Sequence, residues 1–575
     1  MEKKSNRNWR IILISILILS FGAVIVGRLF FLQILNHKLF QSQTLGQQSG
    51  FAQITGARGQ IYCTNSQYSK GQDASGEVKN LAINKEEWTI SALLSEVEDK
   101  NNFAESLSEF IEISKEDLLS LFEKSNTSYV VIKRGVLKEQ LEKLKELNLK
   151  GLQWESNSQR YYPQGELAAN VLGFLGGEGV GQYGIEGYYE NILKGKSGIK
   201  EEKKGLNAIL FPSKEVSLDG ADIYLTIDYN IQFEAESLLK SAQKDLEIDS
   251  GQIIVIKPDT GKILALANFP SFDVNNYSKV SDMNTFQNGA VQKLFEPGSI
   301  MKPFTMAIAL NEGKITPETT YVDTGFLTFG TKKIHNFDKK IYGEQTMTQV
   351  LENSINTGAV FAEEQVSHKT YLEYIEKFGF IEKTNIDLQG EVYSRNESLM
   401  KNAPDMNFAS SSFGQGINLN PLQIVRAFCA LANGGKLVKP YIVEKIVKDM
   451  EEDYTEPELS RQIISKQTTS SLTKMLVSVV DNGFNKVAKI PGYYFAGKTG
   501  TAQVPLINGK GYEKDKTIQS FIGFGPAYNP QFLILVKLDN PKVASSSLSA
   551  VPVFKKLAQY IINYWQIPPD YEVEN

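Results

Sequence analysis

Three polar signatures follow one another along this chain: Ser299-Ile300-Met301-Lys302, then Ser354-Ile355-Asn356, then Lys498-Thr499-Gly500-Thr501. The first constrains the fold most. It follows a Pro297-Gly298 break and opens onto an apolar run, Phe304 to Leu310, which reads as a buried helix. A Ser at a helix start and a Lys three residues on share one face, one turn apart. Burial lowers the proton affinity of an amine, so such a Lys can accept the hydroxyl proton and make a nucleophile without histidine. Taken alone, a Ser-x-x-Lys is more often a Ser N-cap followed by a surface Lys. Ser197/Lys200, Ser241/Lys244 and Ser471/Lys474 share the spacing and read that way, and Ser394-Arg395-Asn396 repeats the Ser-x-Asn spacing. The order of the three elements carries the functional reading, not any one of them.

Composition removes several alternatives. The chain has 575 residues, enough for several domains, and a net charge of −5 with no large basic block, which excludes a nucleic-acid partner. Its 3 His are scattered, with no His-Glu-x-x-His and no Gly-x-Ser-x-Gly, so neither a zinc hydrolase nor a Ser-His-Asp hydrolase fits. No metal or cofactor is expected. The 2 Cys, Cys63 and Cys429, make no disulfide framework and are expected to be unpaired. A sharper rival is Gly492 to Thr499, which matches the Gly-x4-Gly-Lys-Thr phosphate loop. Such a loop must lead into a helix, whereas Tyr493-Tyr494-Phe495-Ala496 is strand-like and Gly500 to Val504 starts no helix. As a strand, this stretch places Lys498 opposite Thr499 and Thr501. Its glycines let another backbone approach, so a peptide can add to it as a further strand.

Residues 11–35 form an apolar run interrupted by Arg28, long enough to span a bilayer of roughly 30 Å. Lys3, Lys4, Arg7 and Arg10 precede it, so the positive-inside rule keeps residues 1–10 in the cytoplasm and places the rest outside. A cleaved signal peptide fits less well, because the run is too long and ends in no small-x-small site. Residues 36–220 are polar and mixed, with Asp117 to Leu149 expected to be helical. From 221 to 567 the pattern changes. Ile253 to Ile256, the turn Pro258-Asp259-Thr260-Gly261 and Ile263 to Ala267 predict a hairpin, with further strands at Phe521 to Phe524 and Phe532 to Leu538. Helices are expected between 299 and 440, with a last helix at Val551 to Gln566 and a short tail at 568–575. The class is α+β.

The ordered triple resembles that of the penicillin-binding proteins and serine β-lactamases. Arg58-Gly59-Gln60-Ile61, Arg160-Tyr161-Tyr162-Pro163 and Gly184-Ile185-Glu186-Gly187-Tyr188-Tyr189 resemble the pedestal of the class B, high-molecular-weight members, although Cys63 stands where that family usually carries Asp. The chain is thus identified as similar to class B peptidoglycan D,D-transpeptidases. That resemblance implies a membrane helix, an elongated pedestal of dimerisation type, and an antiparallel sheet flanked by helices. It also implies roles. Ser299 is the nucleophile toward D-alanyl-D-alanine stem peptides, Lys302 its base, and Ser354 the relay to the leaving amine. Asn356 holds the substrate amide, while Lys498, Thr499, Gly500 and Thr501 bind the terminal carboxylate, and the N–H groups of Ser299 and Thr501 form the oxyanion hole. Ser412 to Ile417 and Pro421-Leu422-Gln423 read as packing support. β-Lactams are the implied covalent inhibitors, and a polytopic glycosyltransferase and division proteins the implied partners. Glu296 before Pro297-Gly298 resembles the septal subgroup; elongation and sporulation types are the alternatives. A β-lactamase or D,D-carboxypeptidase shares the motifs. A β-lactam sensor would need more than the short cytoplasmic tail.

Overall fold

The structure is a computed structural model that describes residues 51–65, 77–125, 127–201, 219–400, 403–483, 486–506 and 511–573, with isolated helical positions between 13 and 26. Among the described residues no helix is long and apolar enough to cross a membrane. The span expected at 11–35 lies largely outside them. The chain divides into two compact units, residues 1–59 with 194–221, and residues 60–193 with 222–575. In the first, Phe51–Thr55 pairs antiparallel with Ser197–Glu201.

The second unit is built on two large sheets. One runs in the order Glu451–Tyr454, Val443–Lys448, Asp222–Asp228, Ile61–Asn65, Glu77–Leu93 and Tyr129–Val136, with Leu152–Tyr161 also paired to Glu77–Leu93. Helices Lys100–Ile111, Lys115–Lys124 and Lys138–Glu146 bury Phe103, Leu107, Phe122 and Leu141 against Ile90 and Val130 of this sheet. The segment expected to be helical from Asp117 to Leu149 is therefore two helices with the strand Tyr129–Val136 between them. The β-branched run Val130-Val131-Ile132 explains the break, since such side chains suit a pleated surface. The Arg160 to Pro163 and Gly184 to Tyr189 segments meet inside the fold. Arg160 Nε donates to Glu186 Oε1 at 2.7 Å and Tyr162 Oη to the same oxygen at 3.2 Å, all three side chains buried.

The other sheet has five antiparallel strands in the order Ile263–Phe269, Ser250–Ile256, Phe532–Asp539, Tyr512–Gly525 and Ala496–Pro505. Gly261, at φ 83°, closes the expected hairpin. Both faces of this sheet are covered, so Ile253 to Ile256 and Phe532 to Val536 are continuous apolar runs. Ile253 and Val255 join one core with helices Tyr229–Leu246 and Ala550–Trp565, while Ile254 and Ile256 join the other with Lys302–Asn311 and Pro421–Ala432. Phe304 stands edge-on to Phe378, Phe380 and Phe428, with ring centroids 5.0–5.7 Å apart. Such pairs add about 0.5–1.5 kcal/mol each beyond their buried area, which fixes the helix that follows Ser299. Cys63 and Cys429 are both buried and unpaired.

Candidate active site

Ser299 lies half-buried in a single 3₁₀ turn, Gly298–Met301, which runs directly into the helix Lys302–Asn311. Pro303 favours that helix start, where its missing N–H costs nothing. Gly298, at φ 60°, donates its N–H to Gly414 O at 3.1 Å. Gly414 itself sits at φ 84°, and a Cβ there would strike the Gly298 backbone, so no side chain fits between the two loops. Thr305 Oγ1 donates to Ser412 O at 2.8 Å, and Gly416 N donates to Glu296 Oε1 at 2.9 Å. The 412–417 segment thus braces the Ser299 turn from one side. Tyr512 Oη donates to Glu296 Oε2 at 3.1 Å and ties that turn to the sheet.

Lys302 is fully buried, and its Nζ donates to Ser354 O and, at 3.2 Å, to Ser354 Oγ. Ser354 belongs to the short link between helices Met347–Glu352 and Asn356–Glu364 and has φ 53°. A non-glycine residue there costs roughly 1–2 kcal/mol, which the surrounding contacts must offset. Lys498 is also fully buried and donates to the same Ser354 Oγ at 2.9 Å. Among the described residues neither lysine has a carboxylate partner. Burial, and then the charge of Lys498, holds the Lys302 amine well below its ordinary 10.5. Burial alone brings Lys498 down to about 7. Two ammonium groups on one hydroxyl in a dry site repel each other, so the pair releases a proton readily.

Lys498 stands on Ala496–Pro505, the edge strand of the five-stranded sheet, with no helix after it, which removes the phosphate-loop reading. Lys498 is buried while Thr499 and Thr501 are half-exposed, the alternation expected of a strand. The edge passes beside the Ser299 turn: a Cβ at Gly500 would lie 3.0 Å from Pro297 O. Thr501 Oγ1 is 2.9 Å from Ser546 Oγ, and Ser546 Oγ also donates to Gly500 O. Ser546 has no signature of its own in the sequence; its Ser-rich surroundings look like an ordinary loop. Asn356, the first residue of its helix, donates its side-chain amide to His335 O at 2.9 Å, which leaves Oδ1 free to accept a hydrogen bond. The Ser299 turn, Lys302, Ser354, Asn356 and the strand 498–501 are therefore brought together at the edge of the five-stranded sheet. The other Ser-x-x-Lys pairs lie elsewhere, Ser241/Lys244 and Ser471/Lys474 each within a single helix.

Residues 251–559 match the family described as penicillin binding protein transpeptidase domain, and residues 53–225 the penicillin-binding protein dimerisation domain. Stage V sporulation protein D of Bacillus subtilis is 32% identical over 80% of this chain and 73% of its own length. A peptidoglycan D,D-transpeptidase FtsI homolog of Mesostigma viride is 28% identical over 97% of this chain and 96% of its own. The crystal structure of penicillin binding protein 2X from Streptococcus thermophilus shares the fold, with a TM-score of 0.75 at 23% identity, covering 90% of this chain and 81% of that one. With the dimerisation family at 53–225 followed by the transpeptidase family at 251–559, the chain belongs to the class B penicillin-binding proteins.

Proposed function

We propose that this chain cross-links peptidoglycan as a serine-type D,D-transpeptidase, with Ser299 as the acylated residue. One observation carries the reading: the buried amines of Lys302 and Lys498 meet at the Ser354 hydroxyl, next to the Ser299 turn and an open strand edge. Lys302, neutral because it is buried, takes the Ser299 proton as Oγ attacks the penultimate D-alanyl carbonyl. The new C–O bond forms, the C–N bond to the terminal D-alanine breaks, and Ser354 passes a proton to the departing amine. Asn356 Oδ1 accepts from the substrate amide, the Ser299 and Thr501 N–H groups receive the oxyanion, and Lys498, Thr499 and Thr501 bind the terminal carboxylate along the edge. Gly500 lets the edge strand approach the Ser299 turn, where a Cβ would press on Ser520 and the Pro297 carbonyl. An acceptor amine from a second stem peptide then attacks the acyl-enzyme and restores Ser299.

β-Lactams present a similar carbonyl and acylate Ser299, and the adduct persists because no residue in the cleft is read as a deacylating base. Intact-mass spectra with labelled penicillin, followed by peptide mapping, test this. An adduct on residue 299 that survives for minutes supports the reading. No adduct refutes it, and one lost within seconds refutes it in favour of a β-lactamase.

Residues 36–220 serve as the pedestal and 221–567 as the catalytic domain, anchored by a single span at 11–35 with the N-terminus inside. The basic tail before that apolar run supports the topology. A polytopic glycosyltransferase and division proteins are the proposed partners, and Glu296 before Pro297-Gly298 supports a septal role. The 32% identity to Stage V sporulation protein D supports the second reading, cross-linking during sporulation. An exported variant starting near residue 45 should bind penicillin yet fail to support septation in cells that lack the native protein. Full replacement by that variant would remove the anchor and partner reading, and a defect confined to spores would favour the second.

A further inference from the structure

The helix that begins at Asn356 has an incomplete start. Its N-cap is Ile355, whose side chain offers no acceptor, so the first N–H groups need one from elsewhere. Asn336 supplies it from the loop after the strand Lys332–His335. Its Oδ1 accepts from Asn356 N and Thr357 N, both at 3.1 Å. Its Nδ2 donates to both carboxylate oxygens of Asp323 at 2.9 Å and to Lys340 O at 3.1 Å. The amide has one workable orientation, because turning it over would set NH₂ against two N–H donors and oxygen against a carboxylate. Asp323 is itself held, accepting from Gly325 N at 3.0 Å, Tyr342 N at 2.7 Å and Thr357 Oγ1 at 2.6 Å. Burial pushes its carboxyl up, but these bonds outweigh that and keep it below its ordinary 3.8. Asp323, Asn336 and Thr357 are all buried, and His335, next to Asn336, fixes the Asn356 side chain through its carbonyl.

We infer that Asn336, oriented by Asp323, is a positioning residue for acyl transfer: it sets the helix start that holds Ser354 and Asn356 against Lys302 and Lys498. The inference rests on the roles given to Ser354 and Asn356 above. Its physical content is geometric. Ser354 keeps its left-handed backbone only while the residues on both sides are pinned, and the pin on the C-terminal side is Asn336. A small shift there moves the shared hydroxyl away from one amine or the other. The same amide also ties the 320–346 hairpins through Asp323 and Lys340 O, so its structural and positioning roles are separated by the rate and its pH trend, not by the contacts alone.

The test uses the full chain in detergent and a labelled penicillin, separating the saturating acylation rate from the half-saturating concentration at several pH values, with thermal midpoints alongside. Asn336→Ala should lower the saturating rate about 10²-fold, the cost of a misplacement of order 1 Å, with a smaller change in half-saturation. Asn336→Asp is the diagnostic variant. It sets two carboxyls face to face, and such a pair keeps one proton to a raised pKa. While it keeps that proton, the variant copies the amide, with C=O toward the helix and O–H toward Asp323. Its rate relative to wild type should therefore be highest at low pH and fall as pH rises through that raised value, a trend absent from Asn336→Ala. Wild-type rates in Asn336→Ala, or a ratio for Asn336→Asp that does not change with pH, overturn the inference while leaving the transpeptidase reading intact. If Asn336→Ala fails to fold, the pH trend of Asn336→Asp decides alone. A wild-type chain that penicillin never acylates overturns the functional reading and this inference with it.

Discussion

Lys302 and Lys498 share one acceptor: their amines lie 3.2 and 2.9 Å from the hydroxyl oxygen of Ser354, and both side chains are fully buried. No carboxylate among the described residues balances them, so the site is held at a cost to stability. That cost lowers the amine's proton affinity, so that it is neutral, and able to accept a proton, when the substrate arrives.

Lys302→Met removes the proposed base while filling the same space. Acylation by penicillin should fall by several orders of magnitude, whereas the thermal midpoint at neutral pH should rise, since a buried amine with no carboxylate partner has been replaced by an apolar side chain. Acylation time courses and calorimetry check both. Near-wild-type acylation would mean that another group takes the Ser299 proton. In the wild type, acylation should slow as pH falls through the lowered pKa of Lys302, because only the free amine accepts a proton.

Lys498 also makes stability depend on pH with a definite sign. From its folded-state value of about 7 up to its ordinary 10.5, the folded chain binds fewer protons than the unfolded one at this position. Stability therefore rises with pH across that interval on account of Lys498. Lys498→Met should flatten that rise, measured as the thermal midpoint against pH for the two proteins. A slope unchanged by the substitution would contradict a lowered amine.

Ser354 allows chemistry and backbone to be separated. Ser354→Ala and Ser354→Gly both lose the shared hydroxyl and should both acylate far more slowly. Only glycine accepts φ 53° without penalty, so Ser354→Gly should melt higher than Ser354→Ala, by an amount corresponding to about 1 kcal/mol. Equal midpoints would mean that the link relaxes.

Gly414→Ala tests the brace behind Ser299. Its Cβ has no room against the Gly298 backbone, and φ 84° is unfavourable for alanine. Acylation should fall at least tenfold, with a lower thermal midpoint, because the turn that carries the nucleophile must move. Unchanged kinetics would show that the two loops part without consequence.

Much of this site is legible in the chain itself. Ser299, Lys302, Ser354, Asn356 and Lys498 stand in motifs whose order along the chain resembles that of a known family, and the resemblance, more than any single motif, marks them. The hairpin around Gly261 and the last helix are equally readable, because turn chemistry and apolar period are local properties. The strand Tyr129–Val136 is not, since Leu-, Glu- and Lys-rich helices on either side submerge its short β-branched core. The four-residue strands between Thr320 and Thr346 carry too little period to register. Asn336, Asp323 and Ser546 escape for a different reason. Each acts through a contact with a residue distant in sequence, and an isolated polar side chain gives no local sign of which group it will meet.

The strand Ala496–Pro505 must leave its outer hydrogen-bonding groups unpaired if a peptide is to lie along it, and an unpaired edge invites any other strand, including the same strand of a second copy. Folded proteins blunt such edges with proline and with charges turned inward. This strand carries both, Pro505 at its end and the buried amine of Lys498 in its middle. A second copy that paired along this strand would meet Pro505, which has no N–H to give, so the edge that suits a short peptide suits a long partner strand less well.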